Sequence, residues 1–354
     1  MNIQASVLAL LLAPAALSAQ PGEPVSEIVS WSIDATTVSA TLTLPAAPGP
    51  HPAVVLVAGS GPTDRDWNSR LLPGKNGSAS LLAQGLARAG FAVLRYDKRF
   101  LGPYAAGNMV ALGGKLSFQT HQDEVASAAD FLRRRADIAP GRLFALTNSE
   151  GALHALNAQL GGQAKFAGLV LTAPPGRTGK VLMRWQIEKQ VKPLPEGAAI
   201  MAAYDKLIAK FQAGLPFAAD PVVPAPINNL VASLYAGLPF SRELLLASAP
   251  ALFASADRPR LVLIGKKDIQ VDVRLDGKLF EDIQGEEVTV AYPENANHVL
   301  KYEPRPAAEL LPAFVQQNYN AADRELDPET LKAIITWLKP LAFAKEQKGT
   351  GELK

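Results

Sequence analysis

Ser149 lies where an apolar run meets a helical pattern, in the stretch LFALTNSEGALHAL at residues 143–156. The apolar run has the character of a buried strand, and the residues after the serine have helical spacing. A serine hydroxyl becomes a nucleophile only when a base removes its proton and a third group orients that base. If a histidine and a carboxylate reach Ser149, its position predicts a nucleophile. If they do not, Ser149 is only a serine in a turn.

The chain contains four histidines, and one of them has the position expected of a base. His298 lies in YPENANHVLKYE, directly after the last apolar strand, and open α/β sheets bind ligands at the C-terminal ends of their strands. The others have ordinary structural interpretations: His51 as a turn residue, His121 as a helix-capping or solvent-contacting residue, and His154 as a packed or hydrogen-bonded helix residue. We therefore predict that His298 is the base.

The acid is expected to come from a strand end that lies between the serine and the histidine. Asp268 follows the buried run LVLIG in LVLIGKKDIQV. Asp272 is the alternative, and it could instead cap the following helix. Either aspartate would give the order serine, acid, base along the chain. We favour Asp268 because it lies directly at the strand end, whereas Asp272 lies four residues further on.

A serine nucleophile also needs backbone donors for the oxyanion that forms during acyl transfer. The N–H of Glu150, the residue after the serine, lies at the start of a helix. Ser60, in the loop Ala58-Gly59-Ser60-Gly61 after the apolar run AVVLVA, is the best second candidate. The glycines at 59 and 61 would let this loop approach a substrate closely.

The elements that must position these residues follow an α/β pattern. From Glu27 to Leu44 an alternating pattern predicts two strands of an antiparallel edge. Buried runs then alternate with helical patterns over short connections, which indicates a mainly parallel, doubly wound sheet. Residues 176–259 contain helical periods, Pro-rich joints and no buried run, which predicts an inserted helical cap. The core is therefore expected to comprise residues 25–175 and 260–345.

Two further local patterns predict an irregular stretch and the start of a helix, respectively. The Gly-rich stretch 102–114 is expected to be irregular. Asp327-Pro328-Glu329 has strong helix-start signals, because a capping Asp precedes Pro at the first helical position and an acidic first turn.

Composition excludes several classes of function. The 35 Lys and Arg residues nearly balance the 33 Asp and Glu residues and are scattered, so nucleic acid is not expected as a partner. The absence of cysteine excludes disulfides, thiol nucleophiles and thiolate metal sites. The histidines are too few and too dispersed to suggest a transition-metal site, and no cofactor is implied.

The N-terminal sequence resembles a secretory signal peptide, predicted to span residues 1–19. Its apolar run extends from Ala5 to Leu17, which is shorter than the ~20 residues that a spanning helix needs. No stable membrane anchor is therefore expected. Export to the bacterial periplasm or the extracellular medium is predicted.

Several motifs together resemble a known family. VAGSGPTDRDWN, LLAQGLARAGFAVLRYDKR, NSEG, GKKDIQV and ANHVLK occur in this order. They are similar to blocks of a bacterial alpha/beta-hydrolase esterase family, often described as serine aminopeptidase-like or acyl-ester hydrolases. The resemblance implies an alpha/beta-hydrolase fold with Ser149 as nucleophile, Asp268 as acid and His298 as base. It also places a set of charged residues near the mouth of the sheet, for which we favour a role in ion pairs that fix two loops: Asp64, Arg65, Asp66, Asp97, Lys98 and Arg99.

The sequence departs from the family pattern at three positions. Ala58 replaces a histidine before the oxyanion loop, which removes a supporting hydrogen bond. Phe100 replaces a glycine after RYDKR and could fill part of the substrate pocket. Thr147 replaces the first glycine of the G-x-S-x-G elbow, so it either shifts the following helix modestly or distorts the elbow.

The expected function is hydrolysis of a small-molecule carboxylic ester or thioester through an acyl-enzyme. Gly59, Gly61, Phe100 and Trp185 are expected to line the substrate pocket, with core packing as the alternative for the aromatic residues of the cap. Amide cleavage by a serine aminopeptidase-like enzyme is the second hypothesis. A non-catalytic binding protein that retains the three residues is the third.

Overall fold

An eight-stranded sheet forms the centre of the molecule within the part of the chain that the structure describes. The structure is a computed structural model, and it describes residues 22–71, 74–283, 285, 287–311, 319–321 and 323–344. The strands are β1 Val25–Ile33, β2 Thr36–Leu44, β3 His51–Val57, β4 Ala92–Tyr96, β5 Ile138–Asn148, β6 Gly168–Thr172, β7 Arg260–Leu263 and β8 Val288–Ala291.

The order of strands in the sheet is β1-β2-β4-β3-β5-β6-β7-β8. The pairs β1–β2 and β2–β4 are antiparallel, and all other neighbours are parallel. The chain moves outward from β3 to β4 and then crosses to β5 on the other side of β3, so the strand order reverses there. Such a reversal leaves a crevice at the C-terminal ends of the strands, where ligands bind. The predicted mainly parallel, doubly wound sheet with an antiparallel edge is confirmed.

Helices cover both faces of the sheet. Their bounds are α1 Ser78–Arg88, α2 Ala105–Ala111, α3 Phe118–Arg133, α4 Gly151–Leu160, α5 Gly179–Val191, α6 Gly197–Gln212, α7 Ala225–Ala236, α8 Phe240–Leu246, α9 Ala249–Ser255, α10 Lys278–Glu281 and α11 Pro328–Phe343.

Two hydrophobic cores lie on opposite faces of the sheet, because alternate residues of β3 contribute to different cores. Val55 packs in the core that includes residues of α3, α4 and α9. Val54 and Leu56 pack in the core that includes residues of α1 and α11. All seven residues of β3 are buried, as expected for a strand that is covered on both faces.

Helices α5–α9 occupy the chain between β6 and β7, where the sequence predicted a cap. Side chains of α5–α8 form a further hydrophobic core, which includes the buried Tyr204 and Phe211. Phe211 stacks edge-on against Tyr235, with ring centroids 4.9 Å apart. These three aromatic residues therefore pack the helices against each other. The exact bounds of the cap, 176–259, stay a prediction.

One expectation about local structure is wrong. The stretch 102–114 is not irregular, because it contains α2. Gly102, Gly113 and Gly114 have positive φ and lie in the turns on either side of the helix. Asn108 fixes this short helix to the sheet edge, since its side chain donates to Thr37 O and accepts from Thr37 N, each at 2.8 Å.

The predicted start of the last helix is confirmed, because the Asp327 side chain accepts a hydrogen bond from Thr330 N at the start of α11. The predicted signal peptide, residues 1–19, lies outside the described residues and stays a prediction. Within the described residues, none of the helices combines the length and the hydropathy that crossing a bilayer requires.

Candidate active site

Ser149 lies in a tight turn between β5 and α4, and its φ is +53°. This left-handed conformation costs a non-glycine residue roughly 1–2 kcal/mol. Ser149 N donates to Thr172 O at 2.9 Å, which fixes the turn to the neighbouring strand. A strained strand-to-helix turn that presents a serine at the end of a parallel sheet has the geometry of a nucleophile elbow.

Gly151 allows the helix after this turn to approach the sheet. A Cβ atom at Gly151 would lie 2.7 Å from the carbonyl oxygens of both Val57 and Ala58. Any larger residue would push α4 away from the end of β3. The second small position of the elbow pattern thus meets a steric requirement.

Thr147, which occupies the position of the expected first glycine, lies within β5 rather than in the turn. It pairs with residues of β3 and β6, and its side chain is fully buried. Its Oγ1 lies 3.5 Å from Val170 O. The sheet therefore accommodates the β-branched side chain, and the turn keeps the positive φ of Ser149.

Asp268 and His298 form a hydrogen-bonded pair at the ends of β7 and β8. His298 Nδ1 lies 2.8 Å from Asp268 Oδ2, and both side chains are almost completely buried. Asp268 Oδ1 accepts hydrogen bonds from the amides of Gln270 and Val271 at 2.8 and 3.0 Å. Because both carboxylate oxygens have partners, the orientation of the carboxylate is fixed.

The alternative acid, Asp272, has a different role. Its side chain accepts from the amides of Arg274 and Leu275, so it caps the turn Val273–Gly277. Asp268 is the aspartate that contacts the histidine.

A small cavity of about 160 Å³ brings the predicted residues together. Gly59, Ser60, Ser149 and His298 all line it. A Cβ atom built on Gly59 would lie 3.2 Å from the Ser149 Cβ, so the loop after β3 directly faces the serine. Ser149, His298 and the loop that carries Ser60 therefore meet at one site.

Sequence reasoning missed several residues of this site. Trp67 and Tyr319 line the cavity, and the ring centroid of Tyr319 lies 6.2 Å from that of His298. Asn148 Nδ2 donates to His298 O at 2.9 Å, which joins the elbow to the histidine loop. Only the position of Asn148, directly before the serine, could have indicated such a role.

Glu150 contributes a buried carboxylate as well as a backbone donor. Its side chain is 2% exposed, and its Oε1 lies 3.1 Å from His154 Nε2 and 3.8 Å from Lys98 Nζ. Burial alone would raise the pKa of this carboxyl, but Lys98 and His154 lower it to about 2. Burial lowers the pKa of His154 to about 4. A buried carboxylate therefore directly follows Ser149 in the chain and contacts a neutral imidazole.

Ion pairs are present at the mouth of the sheet, and some of their partners lie outside the predicted set. Arg65 pairs with Asp97 at 2.6 Å, which joins the loops after β3 and β4. Asp66 pairs with Arg95 of β4. Arg99, in contrast, pairs with Glu124 of α3.

Three other residues predicted to line the substrate pocket do not line this cavity. The described residues that line it do not include Gly61, Phe100 or Trp185. Phe100 packs edge-on against His121, with ring centroids 6.0 Å apart. Trp185 lies between Arg177 and Lys189, whose cationic groups are 4.4 and 4.3 Å from its ring. Both aromatic side chains are thus engaged elsewhere.

The remaining histidines are structural. His121 was expected at a cap or in solvent, which is wrong: it is 3% exposed, and its Nδ1 lies 2.9 Å from Glu124 Oε2. His154 is a hydrogen-bonded helix residue, as predicted. His51 begins β3 and is buried. Among the described residues, no group of three or more His, Asp or Glu side chains is placed to hold a metal ion.

Comparison with known proteins identifies similar sequences and folds. A family model described as "Alpha/beta hydrolase family" matches residues 54–313. Esterase EstD of Thermotoga maritima is 32% identical over 147 residues, which cover 42% of this chain and 32% of that protein. The match therefore spans only about a third of that relative.

Solved structures with the same fold have low sequence identity to this chain. An esterase of Pyrococcus furiosus, Pf2001, superposes with a TM-score of 0.54 at 16% identity, over 90% of this chain and 92% of that one. The hydrolase GrgF from Penicillium superposes with a TM-score of 0.53 at 14% identity, over 90% and 99% of the two chains.

Proposed function

Because the chain belongs to the alpha/beta hydrolase family, we propose that it is a serine hydrolase that cleaves carboxylic esters or thioesters through an acyl-enzyme at Ser149. The observation that carries the proposal is the shared cavity of Ser149 and His298, with the His298 ring fixed by Asp268 at 2.8 Å. The esterase name of the relative from Thermotoga maritima agrees with this chemistry.

In the proposed mechanism, Ser149 Oγ attacks the carbonyl carbon and His298 Nε2 accepts the hydroxyl proton. Asp268 holds His298 by its Nδ1 and stabilises the imidazolium that forms. His298 then donates the proton to the leaving alcohol or thiol, and later activates the water that cleaves the acyl-enzyme. Ser149 Oγ makes no hydrogen bond to His298 Nε2 in this structure, and such contacts often tighten only when substrate binds.

The oxyanion of each tetrahedral intermediate would be bound by two amides. The Glu150 N–H lies at the N-terminal end of α4, where the helix dipole favours negative charge. The Ser60 N–H belongs to the loop that faces Ser149 across the cavity. Both donors belong to backbone that is fixed before substrate binds, which is what makes such donors effective.

The size of the cavity favours a small acyl group. A cavity of about 160 Å³ is comparable to the ~150 Å³ engineered cavity that holds one benzene molecule. We therefore propose that short-chain or compact acyl groups bind between the Ser60 loop and the His298 loop. Longer groups would have to extend out of this cavity.

The test is labelling by a fluorophosphonate probe together with hydrolysis of a panel of substrates. The wild-type protein should be labelled and should hydrolyse short acyl esters and thioesters, and Ser149→Ala should do neither. Ser255→Ala is a matched control, because Ser255 is exposed at the end of α9. Labelling that persists in Ser149→Ala would overturn the assigned nucleophile.

The same panel separates the other hypotheses. Preferential cleavage of aminoacyl amides over esters would indicate a peptidase. A wild-type protein that is neither labelled nor active on any substrate of the panel would indicate a non-catalytic member of the family.

A further inference from the structure

Lys98 is a buried cation whose two side-chain hydrogen bonds both go to the loop that faces Ser149. It follows β4 in sequence and is 4% exposed. Its Nζ donates to Gly59 O at 2.6 Å and to Gly61 O at 3.1 Å. One ammonium group thus binds the two carbonyls that flank Ser60.

These hydrogen bonds determine which way the Ser60 amide points. In a trans peptide unit the C=O and the N–H point in opposite directions. The carbonyl of Gly59 and the N–H of Ser60 belong to the same peptide unit. Because Lys98 holds the Gly59 carbonyl on one side, the Ser60 N–H is directed to the other side.

Thr63 holds the next two peptide units of the loop. Its Oγ1 donates to Ser60 O at 2.7 Å, and its N–H donates to Gly61 O at 2.8 Å. Each carbonyl from Gly59 to Gly61 therefore has a donor. With all three carbonyls bound, the loop cannot rotate a peptide unit without breaking a hydrogen bond.

Glu150 is the counter-charge of Lys98. The Lys98 Nζ and the Glu150 Oε1 are 3.8 Å apart, with side chains 5% and 2% exposed. Glu150 is also the residue whose amide is the second proposed oxyanion donor. A single buried ion pair therefore connects the two peptide units that would bind the oxyanion.

We propose that Lys98 is a positioning residue for the oxyanion hole, which holds the Ser60 amide toward the reacting carbonyl while Glu150 balances its charge. This inference rests on the proposed function. Lys98 does not touch the substrate, because it binds the carbonyl side of the peptide unit. Its contribution is to keep one donor oriented before the reaction starts.

Several titratable groups surround this ion pair. Glu150 and His154 face Lys98 from the elbow and α4, while His121 and Glu124 approach from α3, and Arg99 is the next residue along the chain. Burial lowers the pKa of Lys98, whereas Glu150 and Glu124 raise it. The charge of Lys98 therefore depends on Glu150.

The test compares Lys98→Met with Arg260→Met, using hydrolysis of a short acyl ester. Arg260 is a matched control, because it is also a buried cation and its Nη1 donates to two backbone carbonyls, Phe253 O and Ala256 O, away from the cavity. Loss of one oxyanion donor lowers kcat about 10²–10³-fold. We therefore expect Lys98→Met to lower kcat by about 10²-fold with KM changed less than about threefold. Arg260→Met should lower only the Tm.

A kcat of Lys98→Met close to that of the wild type, or a loss confined to KM, would overturn the proposal. If the wild type itself hydrolyses no ester, the proposed function fails separately, and crystal structures decide the positioning role. A Gly59–Ser60 peptide unit that is rotated in Lys98→Met would support the role, and an unchanged unit would refute it.

Should Lys98→Met fail to fold, Glu150→Gln provides a second measurement. This variant keeps the Glu150 amide but removes the counter-charge, so the pKa of Lys98 should fall further below its usual range. A neutral amine donates weaker hydrogen bonds than an ammonium group. The decrease in kcat on the alkaline side should then begin at lower pH than in the wild type. Superimposable pH profiles would count against the proposal.

Discussion

At the scale of single residues, Ser149 combines an unfavourable backbone conformation with a position that faces the cavity. Its φ of +53° would be relieved by glycine, which adopts the left-handed region without steric cost. Residues held in such conformations concentrate at functional sites, where the surrounding structure imposes them. At this turn the surrounding structure includes the hydrogen bond from Ser149 N to Thr172 O.

This strain leads to a prediction about stability. Ser149→Gly and Ser149→Ala should both be inactive, but Ser149→Gly should be more stable than Ser149→Ala by about 1 kcal/mol. Urea unfolding monitored by circular dichroism would measure the difference in the free energy of unfolding. Equal stabilities would show that the turn imposes no strain on the residue at 149.

At the scale of elements, the elbow depends on the contact between α4 and the end of β3. Gly151 allows this contact. Thr147 lies inside β5, two residues before the serine, where β5 pairs with both β3 and β6. The two positions of the elbow pattern are therefore not equivalent in this chain. The β-branched side chain of Thr147 fits inside the sheet, whereas any side chain at 151 would clash with backbone carbonyls at the end of β3.

Gly151→Ala should accordingly destabilise the protein by about 1–3 kcal/mol, which is the usual range for overpacking. It should also lower kcat, because α4 carries the Glu150 amide at its start. Gly107→Ala in α2 is the matched control, since a Cβ atom there meets nothing within 4 Å. Thermal unfolding and ester hydrolysis of both variants would test this. A Gly151→Ala protein as stable and active as Gly107→Ala would contradict the steric argument.

At the scale of the whole molecule, the fold buries a cluster of titratable side chains that come from α3, from α4 and its N-terminus, and from the loop after β4. Lys98, Glu150, His154, His121 and Glu124 are all less than 5% exposed. Their cost of burial is reduced by pairing, because buried charges are tolerated when they are paired and hydrogen-bonded. Protonation of the buried His154 should therefore affect the stability of the whole protein.

His154 makes this dependence measurable. Its pKa in the folded protein is lowered to about 4 by burial, whereas an unfolded histidine titrates near pH ~6.5. Between these values the unfolded chain binds a proton that the folded protein does not, so the stability that His154 contributes is present above pH ~6.5 and is lost as the pH falls. The wild type should thus lose stability from pH ~6.5 to ~4.5, and His154→Gln should lose less.

Urea unfolding at several pH values would test this prediction. The range ends at the ordinary glutamate pKa of 4.5, below which the lowered pKa of Glu150 adds its own loss of stability. Measurements above pH ~7 serve as the internal control, because His154 is neutral in both states there. Parallel stability curves for the two proteins across the whole range would contradict it.

The residues that lie at the strand ends could be predicted from the sequence because strand ends depend on local patterns. Apolar runs and helical periods locate strand ends, and parallel strands bring their C-terminal ends to one edge. This rule, together with the order of the residues along the chain and the comparison of the four histidines, pointed to Ser60, Ser149, Asp268 and His298. The charged partners could not, since Lys98 and Glu150 meet only after β4 and β5 have taken their places on either side of β3.

The sequence by itself determined the fold class, the strand ends and the residues that follow them. Tertiary structure decided what those residues contact. Phe100 and Trp185 were expected at the pocket. Phe100 instead packs against His121, and Trp185 lies between Arg177 and Lys189. The sequence does not show which neighbours an aromatic side chain will contact. Thr147 departed from the elbow pattern, yet only the tertiary structure decided that this residue lies inside the sheet while Ser149 has a positive φ.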